Sequence, residues 1–254
     1  MSIVTLLEKV YGPFRPETFE TSFKSLCGGL KVSLRVVGKT NRGWIQIEIS
    51  GEDETAALHY LNQRVGLAPA TIDKLKKFFT TRGRVIFSRR SGNELYVDMG
   101  VFYPKKYDAA IPLRSLQAQL ADGKSLSLQR VIKLFCLYDN LPLMVKIIGN
   151  VDVQNEGIEA ELSEAQLSQF TRWIRSRLDR LIIIGASRSD VERVLKASKH
   201  TRDIVEVESL GLLEHAIACK LGTDAVGLIP KLGSLLPTTT LTPFCPREIQ
   251  HYCK

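Results

Sequence analysis

The sequence has little that would hold it in a membrane or outside the cell. No run of about 18 apolar residues occurs in the 254, so no helix is expected to span a bilayer. Cysteine is scarce: five residues, at 27, 136, 219, 245 and 253, without framework spacing, fit a reducing cytoplasm rather than a disulfide scaffold. Met1 to Tyr11 carries Glu8 and Lys9 inside its apolar run and has no small-residue cleavage site, so it does not read as a signal peptide. Cys245, His251 and Cys253 have ligand chemistry, but their spacing matches no zinc pattern and a fourth ligand is missing. No cofactor is therefore expected. What is present is 44% apolar and 24% charged residues, which excludes disorder as the main state and indicates a folded cytoplasmic protein of two or three domains.

The charge is unevenly placed. The net charge is +8, and the excess lies in residues 71–140, which carry +7, against +1 for residues 1–70 and zero for 141–254. Lys74, Lys76, Lys77, Arg82, Arg84, Arg89, Arg90, Lys105 and Lys106 make up its dense part. A local positive field attracts polyanions, of which phosphate backbones are the commonest. The plainer reading is a solvated, lysine-rich surface.

Hydrophobic periodicity divides the chain into three regions: 1–70, 71–163 and 164–254. The first reads strand (Ser2 to Val10), helix (Pro16 to Leu26), strand (Leu30 to Val37), strand (Trp44 to Ser50) and helix (Glu52 to Val65), with a hairpin turn at Thr40–Gly43. This order suits a ferredoxin-like α/β domain. Thr71 to Thr80 has helical spacing and reads as a basic linker helix. From Gly83 the pattern is strand-rich: Arg84 to Arg89, Glu94 to Val101, Ala109 to Leu113, Leu143 to Ile148 and Gly157 to Leu162, with a helix over Leu126 to Tyr138. Five short strands suit a small Greek-key barrel.

The residues of this middle region are similar to those of a known module. Gly83-Arg84-Val85, Tyr96-Val97-Asp98, Ala110-Ile111-Pro112-Leu113 with Leu116, Val145-Lys146-Ile147 leading to Asp152, and Leu162-Ser163 follow, in order, the motifs of the S-one-type OB domain, named after a ribosomal RNA-binding protein. Pro112 replaces the family's usual His, Arg114 its usual Ser, and Glu159 its basic residue near the last strand. The resemblance implies RNA binding, with Tyr96 at a base-stacking position. The composition points the same way: a barrel face bearing Phe87, Tyr96, Phe102, Tyr103 or Tyr107 beside cations offers stacking next to charge. The expected RNA-binding set is Arg84, Arg89, Arg90, Tyr96, Tyr103, Lys105, Lys106, Tyr107, Arg114 and Lys146. The whole layout, ending in Gly222 to Pro230, also resembles an uncharacterised archaeal protein family, a likeness that carries architecture rather than chemistry.

The last region reads helix (Ser163 to Leu178, capped by Ser163 with Gln166), a fully apolar strand (Leu181 to Ile184), helix (Ser189 to Ser198), strand (Ile204 to Val207), helix (Leu210 to Lys220) and strand (Ala225 to Ile229), followed by a Pro-rich strap. Alternating β and α elements suggest an α/β sheet backed by helices. The whole is expected to be an α+β multidomain protein: a ferredoxin-like domain, a five-stranded OB barrel and a C-terminal α/β domain. Glu214, His215, Cys219, Asp224 and Lys220 can be drawn as a catalytic set, but a small Cys on an apolar helix reads first as packing. The expectation is an RNA-binding protein of the ribosome, translation or RNA processing. Its partners would be RNA, ribosomal RNA included, and ribosomal or other translation proteins; no membrane and no enzymatic reaction are expected. A protein-interaction scaffold built on a degenerate OB domain is the alternative, and an enzyme using the C-terminal domain is the third reading.

Overall fold

The computed structural model describes residues 1–12, 16–86, 92–149 and 157–253. The chain divides into two compact units, one of Met1–Leu75 with Met99–Tyr107, the other of Lys76–Asp98 with Asp108–Lys254. Among the described residues no helix is long and apolar enough to cross a membrane.

The first unit contains β1 (Ser2–Lys9), α1 (Pro16–Leu26), β2 (Val32–Lys39), β3 (Trp44–Gly51) and α2 (Glu54–Arg64). The strands form an antiparallel sheet in the order β1–β3–β2. Strand alternation decides which side is core: Leu34 and Val36 of β2 and Ile45, Ile47 and Ile49 of β3 are buried, whereas Ser33, Arg35 and Val37 face water. The sheet has three strands where a ferredoxin-like sandwich has four; at the fourth position there is a single bridge, Leu6 to Leu67. The following residues form a short β4 (Ala70–Thr71), which pairs with the end of β6 (Glu94–Tyr103) through Ala70 and Val101. The linker helix expected over Thr71 to Thr80 is not formed. Only a three-residue 3₁₀ turn, Ile72–Lys74, appears. Phe78 has φ +67°, which lies outside the helical region and stops propagation.

The second unit holds an OB-like barrel. Its strands are β5 (Thr80–Ile86), the start of β6, β7 (Tyr107–Pro112), β8 (Pro142–Ile147) and β9 (Ile158–Leu162). β5 pairs antiparallel with both β6 and β8, β8 pairs antiparallel with β9, β9 runs parallel to β7, and β7 pairs with β6 to close the barrel. Val85, Leu95, Val97, Leu143, Val145, Ile158 and Ala160 fill it. Between β7 and β8 lie two helices. α4 (Leu128–Phe135) falls within the expected segment, with the Ser127 hydroxyl accepting the Arg130 N–H. α3 (Leu113–Leu120) lies where the sequence pattern shows no helix; Pro112 is extended and starts it.

The C-terminal half begins with α5 (Glu164–Ser176), whose Ser163 cap accepts the Gln166 N–H as the motif indicates. Then come β10 (Arg180–Ile184), α6 (Arg188–Ala197), β11 (Ile204–Ser209), β12 (Glu214–Cys219), α7 (Ala225–Gly233), β13 (Thr240–Phe244) and α8 (Pro246–Cys253). The sheet order is β11–β12–β10–β13, antiparallel throughout. This corrects the expectation of an α/β sheet: the β-α-β-β-α-β order with β10 central is the split arrangement that sequence reading placed at the other end of the chain.

Three further assignments change here. Leu210 to Lys220, read as a helix, contains the central strand β12, which is buried on both faces. An apolar run of that kind has no periodicity that separates strand from helix. Ala225 to Ile229, read as a strand, opens α7, where Asp224 accepts the Val226 N–H at 2.9 Å and caps the helix. The expected strap is β13 and α8. Its prolines suit both, because Pro243 lies on an edge strand and Pro246 opens a helix.

One side of this sheet packs Leu181, Ile183, Ile217 and Cys219 against α6 and α7. The other side meets the barrel. Phe135 of α4, Phe170 and Trp173 of α5, and Phe244 of β13 form a ring cluster with centroids 5.2–6.3 Å apart. Toward the other end of β10, where Glu214 of β12 pairs with Ile184, Arg84 of β5 and Glu214, both fully buried, form an ion pair at 2.5 Å. Gly211 leaves room for it: a Cβ there would come within 2.0 Å of the Glu214 carboxylate and 2.9 Å of the Arg84 guanidinium. Breaking a buried pair by removing one partner leaves an uncompensated charge and costs about 3–5 kcal/mol. Glu214→Ala is therefore expected to lower the unfolding free energy by that amount in urea denaturation. Gly211→Ala is expected to destabilise as well, although it removes no charge; unchanged midpoints would contradict the role given to the pair.

Candidate nucleic-acid interface

The outer face of β6, β7 and the start of β9 carries an open groove of about 920 Å³. Tyr96 and Glu94 come from β6, Asp108, Ala110 and Pro112 from β7, Arg114 and Gln117 from α3, and Ile158 and Glu159 from β9. Alternation along β6 turns Leu95 and Val97 into the barrel and Glu94 and Tyr96 outward. Tyr96 is half-buried, and its hydroxyl donates to Glu94 Oε2 at 2.6 Å. Arg114, 81% exposed, pairs with Glu159 Oε1 at 3.3 Å.

Among the described residues, Glu94, Asp108 and Glu159 and the guanidinium of Arg114 line the groove, so its described lining is more acidic than the composition leads one to expect. A phosphate entering between these carboxylates meets like charge, so the groove floor suits base edges and donor groups better than a backbone.

The expected residues separate into several groups. Tyr96 and Arg114 line the groove. Tyr103, at 66% exposed, stands in the first unit with Lys105 and Lys106 exposed after it. Lys146 is partly exposed and pairs with Glu161 at 3.3 Å. Arg89 and Arg90, with Phe87, lie outside the described residues. Two residues are corrected. Arg84 is not a surface cation: its guanidinium is fully buried, donates to the Asn140 carbonyl and is neutralised by Glu214. Tyr107 is 1% exposed, because its place at the start of β7 turns the ring inward, and its hydroxyl cannot serve a ligand.

Phe78 and Phe79, at 63% and 40% exposed, were missed. They stand beside Lys76 and Lys77 in the sequence, inside the segment whose apolar spacing reads as a helix.

The catalytic set does not converge as a whole: Lys220 and Asp224 line one small cleft, but Glu214, His215 and Cys219 are not among its lining residues. Glu214 faces the barrel, while His215 and Cys219 share the opposite face of β12, and Asp224 caps α7. His215 is held by the Ser209 hydroxyl at 3.2 Å and the Ala186 carbonyl at 3.1 Å, and burial lowers its pKa. Burial pushes the Cys219 thiol up to about 11. Among the described residues no group of His, Cys, Asp and Glu could hold a metal ion. A thiol kept protonated between its ordinary value and 11 is inert at neutral pH, and its contribution to stability is lost as pH rises through that window. In the native protein at pH 8, Cys219 is expected to resist alkylation until denaturant is added, as mapped by mass spectrometry; rapid native labelling would contradict this environment.

Comparison with known proteins gives two family matches. Residues 3–70 match the DUF2110 N-terminal domain and residues 178–242 the DUF2110 C-terminal domain, together more than half of the chain. No curated protein matches it. Among solved structures, a chain of the a/eIF2alpha–aDim2p–rRNA complex from Pyrococcus horikoshii OT3 aligns with 50% of this chain and 62% of its own length, at 13% identity and a TM-score of 0.26. The intact alpha subunit of aIF2 from Pyrococcus abyssi aligns with 66% of this chain and 97% of its own length, at 9% identity and a TM-score of 0.26.

Proposed function

The chain belongs to the DUF2110 family, and we propose that it is an RNA-binding protein of translation or RNA processing, associated with the ribosome, that acts through its OB-like barrel and catalyses no reaction. The observation that carries this reading is the position of the groove. It lies over the second and third strands of the barrel, the face on which OB-type barrels take oligonucleotides. The ordered motifs from Gly83 to Ser163 support RNA as the ligand. In the groove Tyr96 offers its ring, and Glu94 and Glu159 are acceptors for base amino groups, as carboxylates are for cytosine N4. Phosphate neutralisation then falls to cations around it, among them Arg114.

The three carboxylates favour a second reading, a scaffold whose groove takes a basic segment of a protein partner. Fluorescence anisotropy with mixed-sequence single-stranded RNA at about 50 and 200 mM salt separates the two. The RNA reading expects binding that weakens with salt. Tyr96→Ala should cost about 1–3 kcal/mol at every salt concentration, and Arg114→Ala should reduce the salt slope by about one. No affinity at low salt, together with nuclease-resistant co-purification of a basic protein, would overturn it in favour of the scaffold.

A further inference from the structure

We propose that Phe78 is a base-stacking platform for single-stranded RNA, flanked by Lys77 and Lys146, which carries the RNA path out of the groove and across β9 and β8. The proposal rests on the reading of the barrel as an RNA-binding module and adds the place where phosphate charge is met.

The first support is the cost of the arrangement. Phe78 has φ +67°, a left-handed conformation unfavourable for any residue with a Cβ and rare for a bulky one. Strained backbone persists where the surroundings over-determine it, and it clusters at ligand sites. Here the ladder holds it: Phe78 N–H donates to the Ile147 carbonyl at 2.7 Å, Ile147 N–H to the Phe79 carbonyl at 3.0 Å, and Phe79 N–H to the Lys76 carbonyl at 2.9 Å. The strain is not compensated by burial, because the ring is turned into solvent at 63% exposed, with Phe79 beside it.

The second support is charge. The Lys77 ammonium lies 5.2 Å and the Lys146 ammonium 5.5 Å from the Phe78 ring centroid, within cation–π range. Lys76 is exposed next to them. Glu161 accepts part of the Lys146 charge at 3.3 Å, which leaves Lys76 and Lys77 as the principal phosphate contacts. An exposed ring with adjacent cations is what a base and its phosphate need, and stacking is indifferent to base identity.

The third support is continuity with the groove. Ile147 pairs with Ala160, and Ile148 N–H donates to the carbonyl of Glu159, a residue that lines the groove. Platform and groove are thus about two ladder spacings apart, roughly 10 Å. A single strand crossing β8 and β9 would place a base on Phe78, its phosphates at the lysines and its next bases over the carboxylates.

The test uses the full chain and a labelled oligouridylate of about 16 nucleotides. Phe78→Gly removes the Cβ that strains the backbone, so the melting temperature should hold or rise while RNA affinity falls about 5–150-fold. Phe78→Trp should keep the affinity, and Lys76→Ala with Lys77→Ala should flatten the salt slope. Wild-type affinity in Phe78→Gly, with binding still reduced by Tyr96→Ala, would overturn the platform and leave the barrel reading standing. A loss of both melting temperature and affinity in Phe78→Gly that Phe78→Trp does not restore would assign the ring a structural role and also overturn it. A wild-type protein that binds no RNA would overturn both.

Discussion

The buried pair between Arg84 and Glu214 is the constraint from which the second unit takes its form. Taking two charges out of water is costly, and only close geometry with further hydrogen bonds offsets it. Arg84 leaves the barrel on β5, Glu214 leaves the C-terminal sheet on β12, and the absent side chain of Gly211 lets them meet. The pair therefore fixes which side of the sheet faces the barrel. On that side Phe135, Phe170, Trp173 and Phe244 form an apolar cluster toward the Arg180 end of β10, while Glu214 pairs at its Ile184 end, and α6 and α7 cover the other side.

The same constraint redistributes the surface charge. The central segment is the most basic part of the sequence, but Arg84 of its first barrel strand is internal and pairs with a carboxylate. Among the described residues, the groove over β6 and β7 presents more acid than base. Among the described residues, exposed cations collect at the start of β5, where Lys76 and Lys77 precede the strand and Lys146 approaches from β8. Ring and charge thus occur together on the barrel, though at a place set by backbone conformation rather than by composition.

How much of this could be read beforehand follows from the physics of each signal. The alternation in β2 and β3 was legible because one face of each strand is buried and the other is more open to water. The Ser163 cap was legible because a local hydrogen bond defines it. β12 was not, since a strand buried on both faces loses its period of two. Segment 71–80 was misread because helical spacing of apolar residues says nothing about a positive φ at Phe78. Of the site, Tyr96 and Arg114 were legible from their motif positions. Arg84 was not, because the partner that removes it from the surface lies 130 residues away in the chain and on a strand whose type was itself ambiguous.

The central claim is that the barrel holds single-stranded RNA along one path from the groove to the start of β5. Ultraviolet crosslinking of the full chain to RNA in cells, followed by mass-spectrometric mapping of the adducts, tests it most directly. The account predicts crosslinked peptides containing Tyr96 and Phe78. Crosslinks confined to the C-terminal sheet and its helices, or none above background, would contradict it.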